Sequence, residues 1–562
     1  MTDADAREST SVHWLLLGSL SSEPSGRRFV LDNESFAEAF TNAKLSARVD
    51  VGPALGAAGA HVVELCIGKL REYSLKHVLA SLPVLADLRK LADDLSGPSS
   101  RRPADDAAVA RVVQLIGDGP LAAEMRRVFA GEPEPAAEPA AVEAPAADAP
   151  ANTNEALVDE LLESRATKQA DSKRAIDSFI TAIRGKPKAE GSKATPAHRQ
   201  ARELIETAVF GAVGAVLNDP AVTEPEALWR GLKLVVDQAG SRSRMLVEIV
   251  DVAPAGIEAA MRECLDDEPM NRPDAFFCFD RLEDPARLSE IASTAEDLHA
   301  PVVAGVGPRF FGVDDFEAIV PALREAKPDA YATLPEGWPD LRVDEVSRWL
   351  AVTINDVVVA AEGAGAAKRT VLGSSVFAFA AMVVASYRHT GGFARIMGKE
   401  GALEAPGLRE IVSGREAGNA VPTAAFLSIR AQSELGAVGL VSLGSGRNST
   451  AVMLSEMRTV RGSKDAVPFP AQVLTGRLVR FGRWVCDQVP AGSSREEVVT
   501  LFKQAATVFL FPGLTTGARL DAGVVDEGQG PAVRLVASVD PRLAGIPFEV
   551  GFDLPLSVAL AD

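Results

Sequence analysis

The sequence predicts an α/β (α+β) protein: a mixed sheet flanked by helices, a β-rich C-terminal extension, and two units joined by a Pro/Ala/Glu-rich linker. Three observations lead there. Short apolar runs suited to buried strands alternate with stretches whose apolar residues recur three or four apart. The tail over residues 523–556 holds several short strand candidates (VVDEG, AVRLVASV, PFEVGFDL). Residues 131–154 (GEPEPAAEPAAVEAPAADAPANTN) are almost wholly Pro, Ala, Glu and Asp. Such a segment buries too little apolar surface to offset its ordering entropy, and its prolines favour an extended spacer. The expected division is therefore a unit over 1–130, a linker over 131–154 and a unit over 155–562. A chain of 562 residues is long enough for sizeable cores.

In the first unit, residues 12–20 (VHWLLLGSL) and 62–67 (VVELCI) read as buried strands, and 35–40 as a helix. Leu75, Val78, Leu79, Leu82, Leu85, Leu88 and Leu91 trace one helical face. Pro83 should kink or split that helix. A further helix is expected near 121–129. In the second unit, helical patterning covers 155–183 and 199–217. Residues 245–250 (MLVEIV), 275–279 (AFFCF) and 302–305 then read as buried strands with helices between them. There is no internal repeat.

Composition excludes more than it proposes. Lys and Arg total 58 against 77 Asp and Glu, a formal charge of −19. Phosphate binding needs a basic face, so nucleic acid is not an expected partner. The longest apolar stretch, 374–386 (SSVFAFAAMVVAS), is too short to span a bilayer and reads as a buried helix. The N-terminus lacks the basic and apolar regions of a signal peptide, so a cytoplasmic location without membrane contact is expected. Cys66, Cys264, Cys278 and Cys486 are scattered, which points to reduced, buried thiols.

Candidate chemistry is sparse. Residues 444–450 (GSGRNST) follow an apolar run but lack the Lys of a phosphate loop, and 363–370 (GAGAAKRT) lacks the Gly before its Lys. Both read as flexible turns. The histidines (His13, His61, His77, His198, His299, His389) form no metal-ligand spacing, and His299 should sit in a loop entering a strand. No GxSxG elbow occurs. No catalytic residue, cofactor or metal is therefore expected. Trp229, beside Leu228 and Leu232, reads as a core or interface anchor. Residues 475–489 (TGRLVRFGRWVCDQV) interleave Arg477, Arg480 and Arg483 with aromatics, including Trp484. In a chain this acidic they suggest a basic helix face against a protein partner.

Several segments, in order, resemble the sheath of the bacterial type VI secretion system. Leu228-Trp229-Arg230-Gly231-Leu232 is similar to the end of the large subunit's ILHHPxFQxLEAxWRGL. Residues 157–165 (LVDELLESR), 298–303 (LHAPVV), 310–312 (FFG), 338–342 (WPDLR) and 434–443 (ELGAVGLVSL) resemble other segments of that subunit, TssC. The first unit resembles the small subunit, TssB, through 15–22 (LLLGSLSS), 63–65 (VEL), 82–85 (LPVL), 119–121 (GPL) and 127–129 (RVF). The resemblance implies a natural TssB–TssC fusion: a structural protomer that forms a helical homopolymer around an Hcp-like tube and drives the tube outward by contraction. It also implies baseplate components as partners. The helix bearing Leu157, Leu161 and Leu162 matches the region recognised by the recycling AAA+ ATPase, ClpV. Trp229, Arg230, Leu232, Arg477, Arg480 and Trp484 become the candidate assembly and packing residues.

The chain departs from the family at two places. Only about ten residues precede Val12, where the small subunit carries an extra strand that augments a neighbour's sheet, and 349–359 (WLAVTINDVVV) replaces the large subunit's PRxLxRxPYG. These departures motivate an alternative, a sheath paralogue acting as a non-polymerising adaptor or cap. An α/β enzyme with a dispersed site is the third reading.

Overall fold

The computed structural model describes residues 11–21, 23–98, 101–131, 195–240, 245–326, 333–362, 369–412, 416–462, 468–510, 517–527 and 530–561. The fold is mixed α/β with a large mixed sheet flanked by helices. Two compact units divide the chain. The larger comprises Met1–Ala43, Ala227–Ala361 and Thr370–Asp562, and the smaller comprises Lys44–Glu226 and Glu362–Arg369. This division is not the one marked by the linker, because each unit contains residues from both sides of 131–154.

The reason in the larger unit is the strand Val12–Gly18. It pairs in parallel with Met245–Asp251 on one side and with Ala275–Arg281 on the other. All seven of its residues are buried, as a strand covered on both faces requires. The sheet continues in parallel through Val302–Gly305, Leu350–Ile354 and Val441–Ser445. Antiparallel strands Ala451–Leu454 and Leu403–Glu404 finish one end, and Arg28–Val30 finishes the other. Both edge strands are two or three residues long, which limits edge-to-edge pairing.

Helix Ser375–Thr390 carries the apolar stretch and is buried on nearly every side. The β-rich tail forms a separate antiparallel sheet in the order Ala518–Glu527, Gly530–Val539, Phe548–Pro555. Among the described residues, no helix is long and apolar enough to cross a membrane.

In the smaller unit, helix Pro196–Asn218 packs on helices Gly52–Leu55, Pro83–Leu95 and Pro120–Ala130. Pro83 splits the expected long helix into Leu75–Ser81 and Pro83–Leu95, standing at the start of the second. Val62–Ile67 differs from its expectation as a buried strand. Among the described residues it pairs only with Leu45–Asp50, and the alternating burial of both strands leaves one face in solvent. Gly444 and Ser445 also belong to a strand rather than a turn; the turn falls at Arg447 and Asn448.

Candidate functional site

Trp229 lies in helix Pro220–Ala239 and is 1% exposed. Its ring meets Phe36 and Phe40 edge-on, with centroids 5.6 and 5.1 Å away. The indole Nε1 donates to the Leu20 carbonyl at 3.3 Å. Leu232 is fully buried and Arg230 half-buried. Gly231 has a steric reason: a Cβ there would stand 2.3 Å from the Phe377 ring. The WRGL segment is thus a packing device inside the larger unit.

The basic stretch forms helix Phe469–Asp487. Its arginines do not present the expected face to a partner: Arg477 and Arg480 are 1% exposed and converge on Asp274, itself 1% exposed. Spaced three apart, they lie on the same side of the helix. Arg477 Nη1 donates to both Asp274 carboxylate oxygens at 3.2 and 3.1 Å, and Arg480 Nη2 donates to Oδ1. Arg480 Nη1 also satisfies the carbonyls of Arg272 and Pro273 at 2.8 and 2.7 Å. Trp484, half-buried, lies against Phe509 at 4.4 Å, and Arg483 is exposed.

Asp274 stands at the head of strand Ala275–Arg281 and accepts the His13 backbone N–H at 2.9 Å. The His13 ring continues the network. Nε2 is 2.6 Å from Glu248, and Nδ1 is 3.2 Å from the Asn271 carbonyl. Arg28 then bridges Glu248 at 2.7 Å and Asp267 at 2.8 Å. Charged groups therefore link strands Val12–Gly18, Arg28–Val30 and Met245–Asp251 to helix Phe469–Asp487.

Burial raises the Asp274 carboxyl, but Arg477 and Arg480 outweigh it and hold the group below the usual range. Burial likewise opposes ionisation of Glu248, where His13 and Arg28 prevail and lower it. Arg480 is pushed down to about 10 by burial, against the pull of Asp274. His299 is pushed down to about 4, first by burial and then by Arg483. It adopts a left-handed conformation (φ 52°) at the end of helix Pro285–Leu298, just before a strand. Asp356 behaves oppositely. Burial raises it, and Arg281, 2.5 Å away, offsets this only in part.

Among the described residues, no group of three His, Cys, Asp or Glu could hold a metal. A cavity of about 200 Å³ beside helix Arg495–Phe509 is lined by Leu478, Phe502, Ala506 and Leu520, with Lys503 and Thr507 as polar members. Burial pushes the Cys264 and Cys486 thiols up to about 12, away from nucleophilic readiness. Leu157, Leu161 and Leu162 lie outside the described residues.

Parts of the chain are similar to solved contractile-sheath structures. A chain of the contracted helical sheath of the anti-feeding prophage matches with 12% identity and a TM-score of 0.31, covering 52% of this chain and 71% of that one. A chain of the contracted sheath complex of an extracellular contractile injection system, PVC, matches with 12% identity and a TM-score of 0.32, covering 60% and 77%. The sheath tail protein of Listeria innocua matches with 11% identity and a TM-score of 0.27, covering 49% and 60%. No family model and no curated protein matches the chain.

Sequence reasoning singled out the arginines but missed His13, Arg28, Glu248 and Asp274. Asp274 left one signal, a carboxylate at the lip of an apolar run. Its partners lie 203 and 206 residues away in sequence, beyond the reach of any local pattern.

Proposed function

We propose that this chain is a structural protomer of a contractile, phage-tail-like sheath, in which a TssB-like segment (1–130) and a TssC-like segment (155–562) are fused through the 131–154 linker. It polymerises as a helix around an Hcp-like tube from a baseplate and has no active site. A heterologous contact repeated with rotation and rise gives such an open helix. Contraction is then a shift between two packings of that contact.

The observation that carries this reading is the ordered resemblance to both sheath subunits on the two sides of one linker. Interleaving supports it. The pre-linker strand Val12–Gly18 lies between post-linker strands in one unit, and post-linker helix Pro196–Asn218 packs on pre-linker helices in the other. Two subunits that fold only together would interleave in this way, and fusing them fixes a one-to-one ratio and raises their effective concentration. Recognition by a ClpV-type ATPase through Leu157, Leu161 and Leu162 belongs to the same proposal.

Negative-stain microscopy of the protein co-expressed with its tube protein tests it. Tubes or stacked rings are the expected result. A monodisperse monomer at high concentration, with tube protein present, would overturn polymerisation in favour of a non-polymerising adaptor or cap.

A further inference from the structure

We propose that the groove between helices Leu75–Ser81 and Pro83–Leu95 of the smaller unit holds the acidic, leucine-bearing segment 155–165 of the same chain. The groove is built from one face of each helix. Lys76, Leu79 and Ala80 stand three and four apart on the first, and Ala86, Arg89, Lys90 and Asp93 repeat that spacing on the second. Together they bound about 290 Å³. Leu79 is buried, Ala86 half-buried and Ala80 exposed, so the surface between the two walls is largely apolar.

Charge singles out the occupant. Lys76 and Lys90 are exposed, one on each wall, and Arg89 is half-buried beside them. Asp93 is the one carboxylate among the described residues that line the groove, so its rim is net basic on a chain of net charge −19. Residues 155–165 (EALVDELLESR) carry the complementary pattern. Wound as the helix their spacing predicts, Leu157, Val158, Leu161 and Leu162 form one apolar face, and Asp159, Glu160 and Glu163 lie on the other. Such a helix lays its apolar face into a groove on anchors one turn apart. Its acids then meet lysines on both walls.

The tether favours the same chain over a second copy. The described residues stop at Gly131 and resume at Thr195, both in the smaller unit. About 25 residues separate Gly131 from Leu157, and at roughly 3.1 Å each in a proline-rich spacer they can reach any face of a unit this size. Joined by such a tether, the segment meets the groove at an effective concentration approaching the millimolar range. Seated there, Leu157, Leu161 and Leu162 are withheld from any other partner. Docking of this kind needs no polymerisation.

Hydrogen exchange of the full chain, read by mass spectrometry over residues 157–163, tests the docking with Lys76→Glu/Lys90→Glu. Exchange there should be about tenfold faster in the variant, because two attractions between exposed charges become repulsions. Adding Glu160→Lys and Glu163→Lys should restore slow exchange. Both lysines are exposed, so thermal unfolding should stay at the wild-type temperature. A cysteine pair, Ala80→Cys with Leu161→Cys, identifies the occupant on a background in which the exposed Cys66 is replaced, Cys66→Ser. Oxidation should close a disulfide within one chain. Equal exchange in wild type and Lys76→Glu/Lys90→Glu overturns the docking. Disulfides found only between chains overturn the same-chain occupant in favour of a second copy. Neither readout needs tubes, so the docking and the assembly reading fail separately.

Discussion

Two guanidinium groups share one carboxylate at Asp274, and all three side chains are 1% exposed. Asp274→Ala would leave both cations buried without it and should cost about 3–5 kcal/mol, read as a lower denaturation midpoint. Arg477→Met should cost less than half as much, because Arg480 still neutralises the carboxylate. His299 yields a prediction in pH. Its folded pKa is lowered to about 4, so its contribution to stability is fully present above the unfolded value near 6.5. That contribution is lost as pH falls from there towards 4. Replacing it with Asn, which tolerates the left-handed backbone, should flatten the melting temperature across that window. The lowered Asp274 and Glu248 act further down, losing their contribution as pH falls below about 4. At Gly231, Ala would gain about 0.5–1 kcal/mol of helix preference. A 2.3 Å approach to the Phe377 ring should outweigh that by forcing the packing apart, for a net loss of about 1–3 kcal/mol. A double-mutant cycle with Phe377→Leu should recover part of the loss.

Strand Val12–Gly18 is the element on which the larger unit's sheet depends. Burial of Val12, Trp14, Leu15, Leu16 and Leu17 contributes on the order of 10 kcal/mol before ordering costs, and both of the strand's edges are paired. Cleavage at a protease site engineered into 131–154 should therefore leave the fragments associated. They should co-elute on size exclusion in native buffer and separate only in denaturant; separation in native buffer would show that the linker holds them together. Periodicity made such elements legible. A seven-residue run without polar alternation reads as a buried strand, and a proline inside a leucine face reads as a helix start. Leu45–Asp50 was not legible, because its short alternating pattern acquires meaning only opposite Val62–Ile67. Arg28–Val30 is too short to carry a period.

For the whole molecule, the resemblance and the tertiary arrangement bear on one question, whether one chain does the work of two subunits. If it does, tubes formed by the intact 59.1 kDa chain should survive linker cleavage and yield two bands on a denaturing gel from unchanged particles. Disassembly on cleavage would mean that the linker itself bears load. The charge of −19 favours solubility through mutual repulsion of like chains.

The sequence by itself determined many of the buried strands and helices, the Pro/Ala/Glu-rich composition of residues 131–154, the absence of a recognisable catalytic motif and the prominence of Trp229 and the arginine helix. Those are local properties, written in periodicity, composition and short motifs. Only the tertiary structure decided that Val12–Gly18 enters a sheet built mostly from residues beyond 244, and that Arg477 and Arg480 point inward. Both depend on pairings across more than 200 residues. Three arginines on one helix look alike in sequence. Asp274, buried beside two of them, leaves the third facing solvent.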